Sequence, residues 1–184
     1  WHLERLYAFA RDLGASVIVP KFSRYAIDLN RPRDDAPMYP GASNTGLCPT
    51  TFFDGTPLYK VGRVPDAAAI ARRRERWWQP YHDALAAELA AIRARHGYAL
   101  LLDGHSIRSR IEWLFEGKLP DFNLGTAAGT SCGPGLREAA RRALTTPGYT
   151  LDVDGRFKGG YITRHYGKPK ERIHAVQLEM CQST

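Results

Sequence analysis

Apolar residues recur at helical spacing near the start of the chain, at Leu3, Leu6, Tyr7, Phe9 and Ala10. Gly14 follows as a natural stop, so the pattern predicts a helix over 1–13. The run SVIVP at 16–20 reads as a β-branched strand, and 25–29 as another short one. Residues 31–64 are dense in Pro, Gly, Asn and Thr with little periodicity, the mark of a long loop that is functional or flexible. From 66 to 96 the sequence is strongly helical, with Asp66 as N-cap and Gly97 closing the run. Pro80 lies inside it and predicts a kink or two helices. An apolar run at 98–103 predicts a buried strand, followed by a loop-rich stretch over 104–133 and a helix opening at Pro134. Strands are predicted over 149–153 and 175–180, with a glycine-rich turn region at 158–167 between them. Strands alternating with helices predict an α/β fold, a mixed, mostly parallel sheet with helices on both faces.

Composition narrows this picture. The 184 residues suit one domain, 1–184, and 43% hydrophobic with 24% charged residues is ordinary for a globular protein. No run approaches the ~18 apolar residues of a membrane span, and no signal peptide is visible. Cys48, Cys132 and Cys181 form no CxxC pair, which argues for a reducing compartment and against a disulfide framework or a cysteine-only zinc site. Trp1 is not an initiator Met, the first helical pattern has no cap, and QST stops directly after a strand-like run, so both ends read as trimmed.

A net charge of +7 raises nucleic-acid binding as a possibility. Much of the excess, however, is RRRER at 72–76, and a charge run on an amphipathic helix is usually a solvated face. Arg24, Arg31, Arg108 and Arg164 stand singly among hydrophobic and glycine-rich motifs, a placement better suited to small carboxylates.

The chemistry concentrates at strand ends. DGHSIRS at 103–109 follows the buried strand and puts Asp103 and His105 where open α/β sheets place ligands. His105 can offer a ring nitrogen to zinc, Asp103 can hold the other nitrogen, and Arg108 can hold an anion beside them. In SRYAIDLNRP at 23–32, Arg24, Asp28 and Asn30 share a face of an extended strand, with Arg31 just past its end. An Arg with a neighbouring Asn grips a carboxylate; the plainer reading is Asp28 neutralising Arg24. GYITRHYG at 160–167 presents Tyr161, Arg164, His165 and Tyr166 between glycines, as part of a site or as a hairpin with exposed aromatics. In AVQLEM at 175–180, Ala175, Val176, Leu178 and Met180 are apolar, so Glu179 sits in a largely buried strand and its carboxylate must be paired, protonated or functional; beside an activated water it is a natural general base. Cys132, ahead of the helix at Pro134, is a possible nucleophile, although a structural cysteine is the commoner case.

Together the runs WHLERLYAFARDLGA, YAIDLNRPRDDAPMYPG, NTGLCPT, DGHSIRS, LFEGKLPDFNLGT, FKGGYITRHYG and HAVQLEM resemble the N-formylglutamate amidohydrolase family. They occur in the family's order and span nearly the whole chain. That family is similar to zinc carboxypeptidases, so the resemblance implies a zinc-carboxypeptidase-like α/β domain. It implies His105 as a metal ligand and Glu179 as the catalytic carboxylate. Arg24, Asn30 and Arg31 would handle the scissile carbonyl and the substrate carboxylate, with Arg108, Tyr161 and Arg164 as further substrate-binding candidates. The family's remaining metal ligands, a His in a Pro-His motif and an acidic residue just before the first helix, are expected upstream of residue 1. The implied activity is metal-dependent hydrolysis of N-formyl-L-glutamate to formate and L-glutamate, with one divalent zinc ion, in cytoplasmic histidine degradation. A small acidic substrate is then the partner, and neither nucleic acid nor membrane is expected. The alternatives are a metal-dependent deacylase or carboxypeptidase acting on another N-acyl amino acid, and a non-enzymatic module that binds anions or nucleic acid.

Overall fold

The structure, a computed structural model, describes residues 2–38 and 45–184. Trp1, where the predicted first helix begins, and 39–44, inside the predicted long loop, lie outside the described residues. In chain order the elements are α1 (Leu3–Leu6), α2 (Ala67–Arg73), α3 (Gln79–His96), β1 (Ala99–Ile107), β2 (Phe122–Gly125), α4 (Pro134–Leu144), β3 (Leu151–Val153), α5 (Tyr161–Tyr166) and β4 (Ile173–Cys181). They fall into two compact units, one formed by 1–19 with 87–184 and the other by 20–86.

The first unit is built on a four-stranded sheet in the order β1-β4-β2-β3. β1 runs parallel to β4 and β2 parallel to β3, while β2 meets β4 antiparallel. The sheet is thus mixed and mostly parallel, as the sequence predicts. Leu124 and Val176 on one sheet face close a core with Cys132, against which Leu136, Ala140 and Leu144 of α4 and Leu151 and Val153 of β3 pack. The other face carries Gln177, whose side-chain carbonyl accepts from the Gly160 N–H at the start of α5 (2.7 Å).

Five local predictions in this unit are corrected. The first helix is only α1 followed by a 3-10 turn at Ala8–Ala10. No side chain caps it at His2, so only backbone bonds hold its opening turn. The run at 16–20 forms no strand. β1 does not stop at Asp103 but continues to Ile107, because β4 offers polar partners in register (Gln177 to Asp103, Glu179 to His105) and the ladder goes on through them. The stretch 104–133 holds β2, and the glycine-rich turn at 158–167 contains α5.

An acidic hub braces the sheet's loops. The Asp154 carboxylate accepts from the Thr126 N–H (2.6 Å) and hydroxyl (2.5 Å), the Ala128 N–H (3.2 Å) and the Arg137 guanidinium (2.9 Å). Burial alone would raise its pKa, but the Thr126 bonds, Arg137 and the Ala128 N–H outweigh burial and hold it below the usual carboxylate value. A depressed carboxyl adds stability that is complete above its unfolded pKa, near 3.9, and is lost as pH falls through the lower folded value. Asp154→Ala is therefore expected to cost on the order of 3 kcal/mol near neutral pH, since it leaves the buried Thr126 N–H and hydroxyl without their acceptor and Arg137 without its ion pair. The penalty should shrink as pH falls below the unfolded value and through the lower folded one, where the wild-type carboxyl also loses its charge. Denaturant melts of both proteins across pH 2–7 check this.

In the second unit Asp66 caps α2 as predicted, accepting from the Ala69 N–H (2.7 Å). The helical path continues through a π turn at Arg74–Trp78 into α3, whose second residue is Pro80. The wider π turn makes room where the proline ring would crowd the carbonyl four residues earlier. The predicted strand at 25–29 is absent. Its carbonyls and those next to it are taken by helix side chains: Ala26 O by Arg73 (2.7 Å), Leu29 O by a ring nitrogen of His82 (2.9 Å) and Arg31 O by the Trp78 indole (2.9 Å). Arg73 is thereby a structural clamp, so RRRER is only in part a solvated face.

Candidate active site

Register places the chemistry in rows on one sheet face. His105 of β1 lies opposite Glu179 of β4, which in turn lies opposite Asn123 of β2; Asp103 pairs with Gln177. Register partners share a face and neighbouring strands stand roughly 4.8 Å apart, so the three side chains of the first row are adjacent. Two residues apart on β1, Asp103 and His105 also share that face, and Asp103 Oδ1 lies 2.8 Å from His105 Nε2. The carboxylate fixes the imidazole's orientation and tautomer. Glu179 is buried at 7% exposure. The Asn123 amide nitrogen donates to Pro120 O (2.8 Å) and to Glu179 O (3.4 Å), which pins the strand that carries this glutamate.

The Tyr7 phenol lies against the same strand. A Cβ on Gly104 would sit 2.8 Å from its ring, so only glycine between Asp103 and His105 admits it. Its hydroxyl is buried with no hydrogen-bond partner among the described residues. Burial first, then the charges of Asp103 and Glu179, push the phenol's pKa up.

Tyr161 and Arg164 stand on α5, which Gln177 ties to this face. Tyr161 stacks on His165 at 4.8 Å between ring centroids, and the Arg164 Nε donates to Gly159 O (2.8 Å). Arg108 is exposed and directly follows the last residue of β1.

The second unit gathers Arg24, Asp28, Asn30 and Arg31, but not on a strand face as the alternation predicted. Asp28 is buried and forms an ion pair with Arg24 (2.5 Å), and it also accepts from the Asn30 N–H (3.0 Å). The plainer pairing of Arg24 with Asp28 is thus present, but Asp28 is buried and the pair lies on no strand end. The Arg24 guanidinium also lies 5.0 Å from the Phe53 ring centroid. Arg31 donates to Thr45 O (2.7 Å), Asn30 O (2.8 Å) and the Thr45 hydroxyl (2.5 Å), so it clamps its own loop.

Two further expectations are decided by the surroundings. Cys132 is 2% exposed within the α4 core, and burial first, then Asp154, pushes its thiol pKa up, the reverse of an activated nucleophile. Zinc takes three protein ligands in a catalytic site. His105 has the right donor, but among the described residues no group of three or more His, Cys, Asp or Glu side chains is arranged to hold a metal ion. The described residues therefore do not complete a zinc centre. Tyr7, Gln177, Asn123 and the Asp154 hub were missed in the sequence; Gln177 alone carried a signal, as a second polar residue two positions before Glu179 in an apolar strand. No helix among the described residues is long and apolar enough to cross a membrane.

Comparison with known proteins identifies the family. The model of the N-formylglutamate amidohydrolase family matches residues 1–184. An N-formylglutamate deformylase of Pseudomonas putida is 56% identical over 185 residues, covering 100% of this chain and 69% of that protein. One from Pseudomonas aeruginosa is 54% identical over 187 residues, with the same coverage of 100% and 69%. The crystal structure of an N-formylglutamate amidohydrolase from Ralstonia eutropha superposes with a TM-score of 0.82 at 29% identity, covering 99% of this chain and 70% of that one.

Proposed function

Because this chain belongs to the N-formylglutamate amidohydrolase family, we propose that it hydrolyses N-formyl-L-glutamate to formate and L-glutamate. The observation that carries the reading is the row formed by His105 and Glu179, with Asp103 holding the imidazole. A carboxylate buried beside an oriented imidazole is placed to take a proton from an attacking water and to return it to the departing amine. The water's oxygen bonds to the formyl carbon, the C–N bond breaks, and formate and the free amine leave. Arg108, Tyr161 and Arg164 are proposed as substrate contacts, two arginines and a phenol suiting a substrate with two carboxylates. The family resemblance assigns the carbonyl oxygen to Arg24 and a carboxylate to Asn30 and Arg31, and each is testable by single substitution. His105 is proposed as one ligand of a zinc ion. The reaction would serve histidine degradation in the cytoplasm.

The experiment is product analysis. Full-length protein incubated with N-formyl-L-glutamate should release formate and L-glutamate in equal amounts, and chelator should stop the release. Substrate recovered intact would reject the reading; turnover unaffected by chelator would reject only the metal.

A further inference from the structure

α5 is held in place by a relay that begins at the Asp154 carboxylate, outside the helix. Asp154 fixes the loop at 126–131 through the Thr126 and Ala128 N–H groups and the Thr126 hydroxyl. Within that loop Ala127 and Ala128 both adopt left-handed backbone, φ 50° and 55°, although neither is glycine. Such conformations persist only where surrounding contacts impose them. The conformation turns the Ala127 N–H onto Lys158 O (2.6 Å). The next residues form a corner with no spare room. A Cβ on Gly125 would fall 2.5 Å from Gly159 N, and one on Gly159, itself at φ 103°, would fall 2.9 Å from Thr163 Cγ2. Gly159 O then receives Arg164 Nε (2.8 Å), and Gly160 N–H donates to Gln177 (2.7 Å), two residues from Glu179 on the same strand face.

We propose that Asp154 is a positioning residue for substrate recognition: through the 126–131 loop it sets the 158–160 corner, and so the place of Tyr161 and Arg164 relative to the strand of Glu179. The inference rests on the reading of α5 as substrate-binding. The carboxylate touches no substrate. Its effect passes through backbone bonds, so loosening it displaces Arg164 without altering the group that moves the proton.

Asp154→Asn in the full-length protein keeps the side chain's shape but loses the charge that holds Arg137 and the two N–H groups. The expected result is a KM for N-formyl-L-glutamate raised about tenfold or more, with kcat within about threefold of wild type. Thr126→Val, which removes the hydroxyl from the same hub, should raise KM in the same way, and Thr126→Ser should restore it. Arg164→Ala should raise KM by itself, and adding Asp154→Asn to it should raise KM little further, because both act at one contact. If Asp154→Asn and Thr126→Val lower the melting temperature but leave KM and kcat unchanged while Arg164→Ala raises KM, the hub is purely structural and the proposal falls alone. If Arg164→Ala leaves KM unchanged, α5 does not bind substrate and the proposal falls with its premise.

Discussion

Glu179→Gln is expected to lower kcat for N-formyl-L-glutamate by at least ~10²-fold, the usual contribution of a general base, while KM changes by less than about threefold. The amide is nearly isosteric with the carboxylate but cannot accept the water's proton. At 7% exposure the native side chain keeps a carboxylate in a mostly apolar strand, which is costly to maintain. Removing that charge should leave the melting temperature unchanged or higher. The two readouts moving apart, a lower rate with undiminished stability, marks a residue retained for chemistry. Steady-state kinetics and a thermal melt on the same preparation suffice. A variant with wild-type kcat would make Glu179 a paired core carboxylate, and the proton would have to go to Asp103 or His165.

His105→Ala is expected to reduce formate release to the uncatalysed background in a protein that still folds. The imidazole's side chain is 27% exposed, so it contributes little packing, and β1 is held by its backbone ladder to β4. Asp103→Asn should give a graded version of the same loss, about 10- to 100-fold, because the amide still reaches His105 but no longer fixes its proton. Circular dichroism checks the fold and a formate assay the rate. Near-normal turnover in His105→Ala would remove the imidazole from the site, and an Asp103→Asn variant worse than His105→Ala would mean that Asp103 acts on its own.

Glu179 was legible in the sequence because it puts a carboxylate into AVQLEM, a mostly apolar strand, an anomaly visible without any partner. Asp103 and His105 were legible for a different reason: they follow a leucine run, at the strand end where open α/β sheets place ligands. The end of β1 was not, since Asp103 to Ile107 reads as strand exit until β4 is known to bring Gln177 and Glu179 into register. β2 escaped because FNLG is only four residues long and half of it, Asn and Gly, is poor strand material. The segment 25–29 misled in the opposite sense. Its alternation imitates a strand, but Arg73, Trp78 and His82 take the carbonyls that a ladder would need, and these partners lie about fifty residues further on. The Asp154 hub joins residues 126, 137 and 154, which share no motif and meet only after folding. Local chemistry on a regular element shows in a sequence, while chemistry assembled across loops does not.

The site is proposed to be built for a formyl group on an amino acid with a second carboxylate. The most direct measurement is kcat/KM of the full-length protein on N-formyl-L-glutamate, N-acetyl-L-glutamate and N-formyl-L-norvaline, assayed side by side. N-formyl-L-glutamate is expected to be preferred at least ~10²-fold over N-formyl-L-norvaline, which offers the proposed arginine contacts no side-chain carboxylate. The bulkier acetyl compound should also be turned over more slowly. Equal values for N-formyl-L-glutamate and N-formyl-L-norvaline, or a faster rate on N-acetyl-L-glutamate, would contradict it.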